Sequence, residues 1–118
     1  MSVQVDVWLR GTDVATTATL EGVVEPPGSW NDEDVRYVLE AMLRTMHRVK
    51  HSSGAEVPIS LRGLSWIVNP FDAGGVVIAI EITLGAAVAG PFDIDKTALE
   101  DMIGRVLRQP EAPPSAVH

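Results

Sequence analysis

Gly75-Val-Val-Ile-Ala-Ile-Glu-Ile-Thr-Leu84 is the most strand-like run in the chain, and its reading decides the fold. Val76, Ile78, Ile80, Ile82 and Leu84 fall on one side of an extended backbone, with Val77 and Ala79 on the other. A strand with one wet side would alternate apolar and polar residues, whereas this one is apolar on both faces. Before it comes Asn69-Pro-Phe-Asp-Ala-Gly-Gly75, a cluster of turn residues, and before that Pro58-Ile-Ser-Leu-Arg-Gly-Leu-Ser-Trp-Ile-Val68. Together they predict a hairpin over Val57–Leu84.

Upstream of the hairpin, Val3, Val5, Val7 and Leu9 alternate with Gln4, Asp6, Trp8 and Arg10, the period of a half-buried strand. Gly11-Thr-Asp13 reads as a turn. Val14 to Glu25 reads as the returning strand, with Val14, Thr16, Ala18 and Leu20 inward and Gly22 at a bend. A helix follows Pro26-Pro-Gly28. Ser29 or Asn31 can cap it, and Asp32, Glu33 and Asp34 suit the positive end of its dipole. Val35, Val38, Leu39, Met42, Met46 and Val49 make one apolar stripe, and Gly54 is placed to end the helix. Trp30 precedes this helix and is expected to pack against its first turn.

Downstream, Gly85 to Pro91 reads as a loop of small residues. A second helix is predicted from about Asp95 to Arg108, capped by Asp93 or Asp95 or by a Thr97–Glu100 capping box, with Ala98, Leu99, Met102, Ile103, Val106 and Leu107 on its apolar face. The expected fold is therefore α+β in the order ββαββα: a four-stranded, mainly antiparallel sheet with two helices packed on one face. Residues 1–108 form one domain, and 109–118, with three prolines, form a Pro-rich tail. The halves share short text: Leu9-Arg-Gly11 with Leu61-Arg-Gly63, and Val38-Leu-Glu-Ala-Met42 with Ala98-Leu-Glu-Asp-Met102. Matches this short arise easily by chance, and the repeated ββα order stands without an ancestral duplication.

Composition narrows the function. At 118 residues the chain can bury a core without staples, and it has no cysteine for disulfides, thiolate zinc sites or nucleophiles. A net charge of -7 argues against nucleic acid and anionic membranes as partners. Met1-Ser-Val-Gln-Val-Asp6 lacks the features of a signal peptide, and the apolar run Val76–Ala89 is short for a membrane span, so a soluble, cytoplasmic protein is expected.

Motifs for catalysis are weak. Asp93-Ile-Asp95-Lys-Thr97 has the spacing of phosphotransfer aspartates, yet it opens a helix instead of ending a parallel strand; helix capping is the better reading. Counting from Asp93 as a calcium loop puts Ala98 and Gly104 where Gly and Glu are required. His47 and His51 have metal-chelating spacing, but a solvated helix end explains them. Ser52, Ser53 and Ser65 lack a nucleophile context. No catalytic, metal or cofactor residues are expected.

The tryptophans point elsewhere. With Ile59, Leu61 and Ile67 inward, Leu64, Trp66 and Val68 face away from the helices and join Trp8 and Val77. Arg10 and Arg62, with Asp6 and Glu81, rim this patch. An apolar patch with a polar rim marks an interaction surface. The function expected is a non-catalytic interaction or assembly protein, a homodimer or adaptor docking through the helix-free face. The alternative is a small-molecule binder or enzyme with a pocket between sheet and helices, or at a dimer cleft lined by Trp66 and Met46. A weaker third is a ring or tube subunit whose strand edges pair. A bulge at Gly63 would reverse the inward and outward sets of the third strand.

Overall fold

A computed structural model describes residues 3–24, 26–51 and 60–109. Its elements are β1 (Val3–Leu9), β2 (Thr16–Leu20), α1 (Asp32–Lys50), β3 (Ser65–Pro70), β4 (Val76–Ile82), β5 (Gly85–Phe92) and α2 (Lys96–Arg108), with a 3₁₀ turn at Pro27–Ser29 before α1. The class is α+β with an antiparallel sheet and two helices, as the hydrophobic periods require. The sheet has five strands, not four, in the order β2-β1-β5-β4-β3, and the chain runs ββαβββα instead of ββαββα.

The added strand is the segment read as a loop. Gly85-Ala-Ala-Val-Ala-Gly-Pro-Phe92 is made of small residues, yet it lies at the centre of the sheet between β1 and β4. It is joined to β4 by the two residues Thr83 and Leu84, since Ile82 pairs with Gly85. Neither residue is the glycine or asparagine that normally marks such a hairpin. At its far end Val76 pairs with Phe92 and Ile78 with Ala89, so Gly90 and Pro91 oppose Val77 alone, a bulge of one extra residue in β5.

Both helices cover one face. Val3, Val5 and Val7 of β1 share it with Leu20, Ala18 and Thr16 of β2 and, for Val5 and Val7, with Ala89 and Ala87 of β5. This is the inward set expected for β1 and for most of β2; Val14 lies outside β2 and is exposed. α1 lies over β2, β1 and β5, and α2 packs beside it over β3. Val35, Val38, Leu39, Met42 and Met46 of α1 and Leu99, Met102, Ile103 and Val106 of α2 are buried in the single core, while Ala98 is exposed.

Capping follows the sequence closely. The Asn31 side chain accepts from the Asp34 N–H at 2.9 Å, and Asp34 accepts from the Asn31 N–H at 3.0 Å, a reciprocal box. Asp95 accepts from the Ala98 N–H at 2.9 Å and so serves as the cap of α2. Trp30 is buried with its ring 4.9 Å from that of Phe92, and its Nε1 donates to the Val24 carbonyl at 2.8 Å. Arg105 forks onto both Asp32 carboxylate oxygens and ties α2 to the first turn of α1. That contact holds the Asp32 carboxyl below its ordinary range, chiefly through the hydrogen bond. The expected cap at Gly54, the inward Ile59 and the tail beyond Gln109 lie outside the described residues.

The text echoes do not mark equivalent places. Leu9-Arg-Gly11 ends β1 and enters the turn after it, whereas Leu61-Arg-Gly63 precedes β3. Leu39 and Met42 do match Leu99 and Met102 in being buried on their helices.

Candidate interaction surface

The parity of β3 decides what the helix-free face carries. Arg62 and Gly63 form a turn, Gly63 with φ +72°, and the strand starts only at Ser65. Leu61 is buried before the turn, so the turn resets which residues point inward. Trp66 then pairs with Ile80 and Val68 with Ile78, and paired residues of an antiparallel ladder share a face. Trp66 and Val68 therefore look toward the helices, and Leu64 packs against the same core. Val68 is 1% exposed. The outward placement expected for Leu64, Trp66 and Val68 is corrected by this turn.

What remains outside is a different set. Val88 pairs with Ala79 and Ala79 with Ile67 across β5, β4 and β3, in a row that continues to Asp6 on β1; Trp8 pairs with Ala86 in the next row, which continues to Glu81 and Ser65. Val77 stands beside them on β4. Trp8 is 38% and Ile67 52% exposed, while Val77, Ala79, Ala86 and Val88 are half-buried among their neighbours. The face is thus a low patch of alanine and valine between Trp8 on β1 and Ile67 on β3, with Asp6 and Glu81 standing on the same face.

The rim is polar. The Thr17 hydroxyl donates to Asp6 at 2.8 Å. Arg10 donates from Nε to the Thr83 carbonyl at 2.9 Å and stands 3.9 Å from Glu81, holding the β1 end against the β4–β5 turn. Arg62 is at the turn before β3, where its N–H meets the Ser60 hydroxyl at 3.2 Å. Of the seven residues expected in the patch, the structure brings together Trp8, Val77 and Arg10. It adds Ile67, Ala86 and Val88, together with Ala79, which the parity of β4 had already placed outside. Ile67 was missed because Gly63 was read as part of a continuous strand. Ala86 and Val88 were missed because small residues were read as loop.

Candidate chemistry can be placed with equal directness. Asp93 is exposed beside the α2 cap, and the acids there form no metal-type cluster; among the described residues no group of three His, Asp or Glu is arranged to hold an ion. His51 caps α1 with its N–H on the His47 carbonyl at 2.7 Å. Met46 is fully buried in the core, so it lines no open cleft. Three clefts among the described residues lie on the outside of the fold, beside α1 and beside the β4–β5 bulge. Among the described residues no helix is long and apolar enough to cross a membrane.

No protein-family model matches the chain, no curated protein matches it, and no solved structure matches it.

Proposed function

We propose that this protein is a non-catalytic association module that docks a second copy of itself through the helix-free face of its sheet. A single observation carries the reading: Val88, Ala79 and Ile67 form one apolar row across the outward face of β5, β4 and β3, with Ala86 and Val77 beside it, between the polar outward residues Glu81 and Ser65 on one side and Asn69 on the other. Trp8 supplies the aromatic anchor at the flank. Small residues in the middle let two such sheets approach to the usual spacing of about 10 Å. Arg10 and Glu81 lie near the strand ends and Asp6 pairs with Val88 on the same face, where these charges can set register.

Light scattering coupled to size exclusion tests the proposal. The wild-type chain is expected to run as a dimer, and the double variant Trp8→Ser, Ile67→Lys as a folded monomer with a similar melting temperature. A wild-type chain that stays monomeric at high micromolar concentration would sink self-association. Should the wild type be dimeric and the variant remain so, the dimer uses another surface.

A further inference from the structure

A second surface lies at the margin of the sheet, away from the helix-free face. Thr19, Leu20 and Glu21 on one side and Tyr37, Ala41, Arg44, Thr45 and Arg48 of α1 on the other line a cleft of about 410 Å³. Leu20 faces the helices, whereas Thr19, paired with Gln4, faces the other way, so a cleft touched by both wraps around the outer edge of β2. Among the described residues no strand pairs with that edge. β2 is Thr-Thr-Ala-Thr-Leu, without the charge or proline that usually blunts an open edge.

Two arginines of α1 line this cleft. Arg48 donates to the Thr45 hydroxyl at 3.1 Å, and Thr45 in turn donates to the Ala41 carbonyl at 2.8 Å. Arg44 sits 5.7 Å from the centre of the Tyr37 ring, and the Tyr37 hydroxyl donates to the Glu21 carbonyl at 2.7 Å. These contacts orient both side chains and leave most of their donors unused. Among the described residues neither arginine forms an ion pair, in a chain whose net charge is -7. Glu21 is also among the lining residues and forms no ion pair with either arginine.

We infer that this cleft binds an extended acidic peptide, which adds a strand to the β2 edge and places carboxylates on Arg44 and Arg48. Arg44 and Arg48 are one turn apart, about 6 Å along the helix axis. Alternate residues of an extended strand are about 6.7 Å apart, so acidic side chains at i and i+2 match that spacing. The strand edge supplies main-chain pairing and the arginines supply selectivity, the division of labour of β-augmentation. Two arginines in an acidic protein are too few to hold a nucleic-acid backbone.

The full chain, isotope-labelled, is titrated at low salt with the probe peptide Val-Glu-Val-Glu-Val-Glu and with its Val-Gln counterpart. The acidic peptide is expected to perturb the amides of Thr16–Leu20 and to weaken with salt. The double variant Arg44→Gln, Arg48→Gln should lower its affinity by about tenfold or more. Glu21→Gln, which removes the competing negative charge, should tighten binding by about threefold. Equal binding of the glutamine peptide, or perturbations confined to Trp8, Ile67 and Val88, overturns the proposal. So does inorganic phosphate or a single-stranded oligonucleotide binding the same arginines more tightly than the peptide. The monomeric Trp8→Ser, Ile67→Lys variant should bind the peptide as the wild type does, which separates this site from the dimer face.

Discussion

Strands β4 and β5 are neighbours in the sheet and bury the same face, yet they are built from opposite materials. β4 turns Ile78, Ile80 and Ile82 toward the helices; β5 turns Ala89, Ala87 and Gly85 toward them, residue for residue across the ladder. Ile78, Ala87 and Ala89 are all fully buried, and Ile80 nearly so. The difference follows from the second layer. α1 lies over β2, β1 and β5, and α2 over β3, so β4 runs below the seam between the helices. Isoleucines fill the deep valley under that seam, and alanines fit where a helix sits close above the strand. Apolar size thus reports the height of the layer above, not whether a residue is in the core.

The comparison can be broken most severely at Gly85. A side chain there would drive its Cβ into the Trp8 carbonyl oxygen and into Leu9. Gly85→Val should cost about 4 kcal/mol or more, because β1 and β5 must part. Chemical denaturation giving a loss below that of an ordinary surface change would show that β5 is not pinned against β1.

Next comes the ladder pair Ile80 and Ala87. Ile80→Ala should cost about 2–5 kcal/mol by leaving a cavity under the seam. Ala87→Ile should cost about 1–3 kcal/mol by pushing α1 outward. Their combination keeps the total volume. A double-mutant cycle is expected to show no rescue, since volume has moved from the valley to the ridge. Recovery to within about 1.5 kcal/mol of wild type would mean that only total volume counts, and the comparison would fail.

The smallest effect belongs to the clamp across the seam, Arg105 on Asp32. The Asp32 carboxyl is held below its ordinary value by the Arg105 hydrogen bond, so the pair stabilises the fold fully above the usual carboxylate range. That contribution is lost as pH falls through the lowered value. Arg105→Ala should therefore lower the melting temperature slightly at neutral pH and not at all in strong acid. A difference between the two proteins that grows on acidification would contradict the sign.

How much of this was legible in the chain differs from element to element. β1, β4 and both helices carry regular apolar periods bounded by capping or turn residues, and each was placed within a few residues. Asn31 and Asp95 are caps because a short polar side chain next to an apolar period has few other uses. β5 gave no such period. Its alanines and glycines are chosen by the helix above it and the strand beside it, and neither neighbour is near in sequence. For the interaction surface, Trp8 and Val77 were readable from strand parity, since nothing interrupts β1 or β4. Ile67 was not, because a single left-handed residue, Gly63, reset the parity of β3.

By itself, then, the sequence determined the class, the helices, the few residues that could cap them and the two-sided apolarity of the strand from Val76 to Ile82, because these depend on residues close along the chain. Only the tertiary structure decided that the sheet has a fifth strand at its centre. Only there, too, did Trp66 and Val68 turn inward while Ile67 turned out. Both outcomes depend on which surfaces meet across the fold, and period-two patterns are silent once a turn breaks their phase or a close helix leaves room only for alanine.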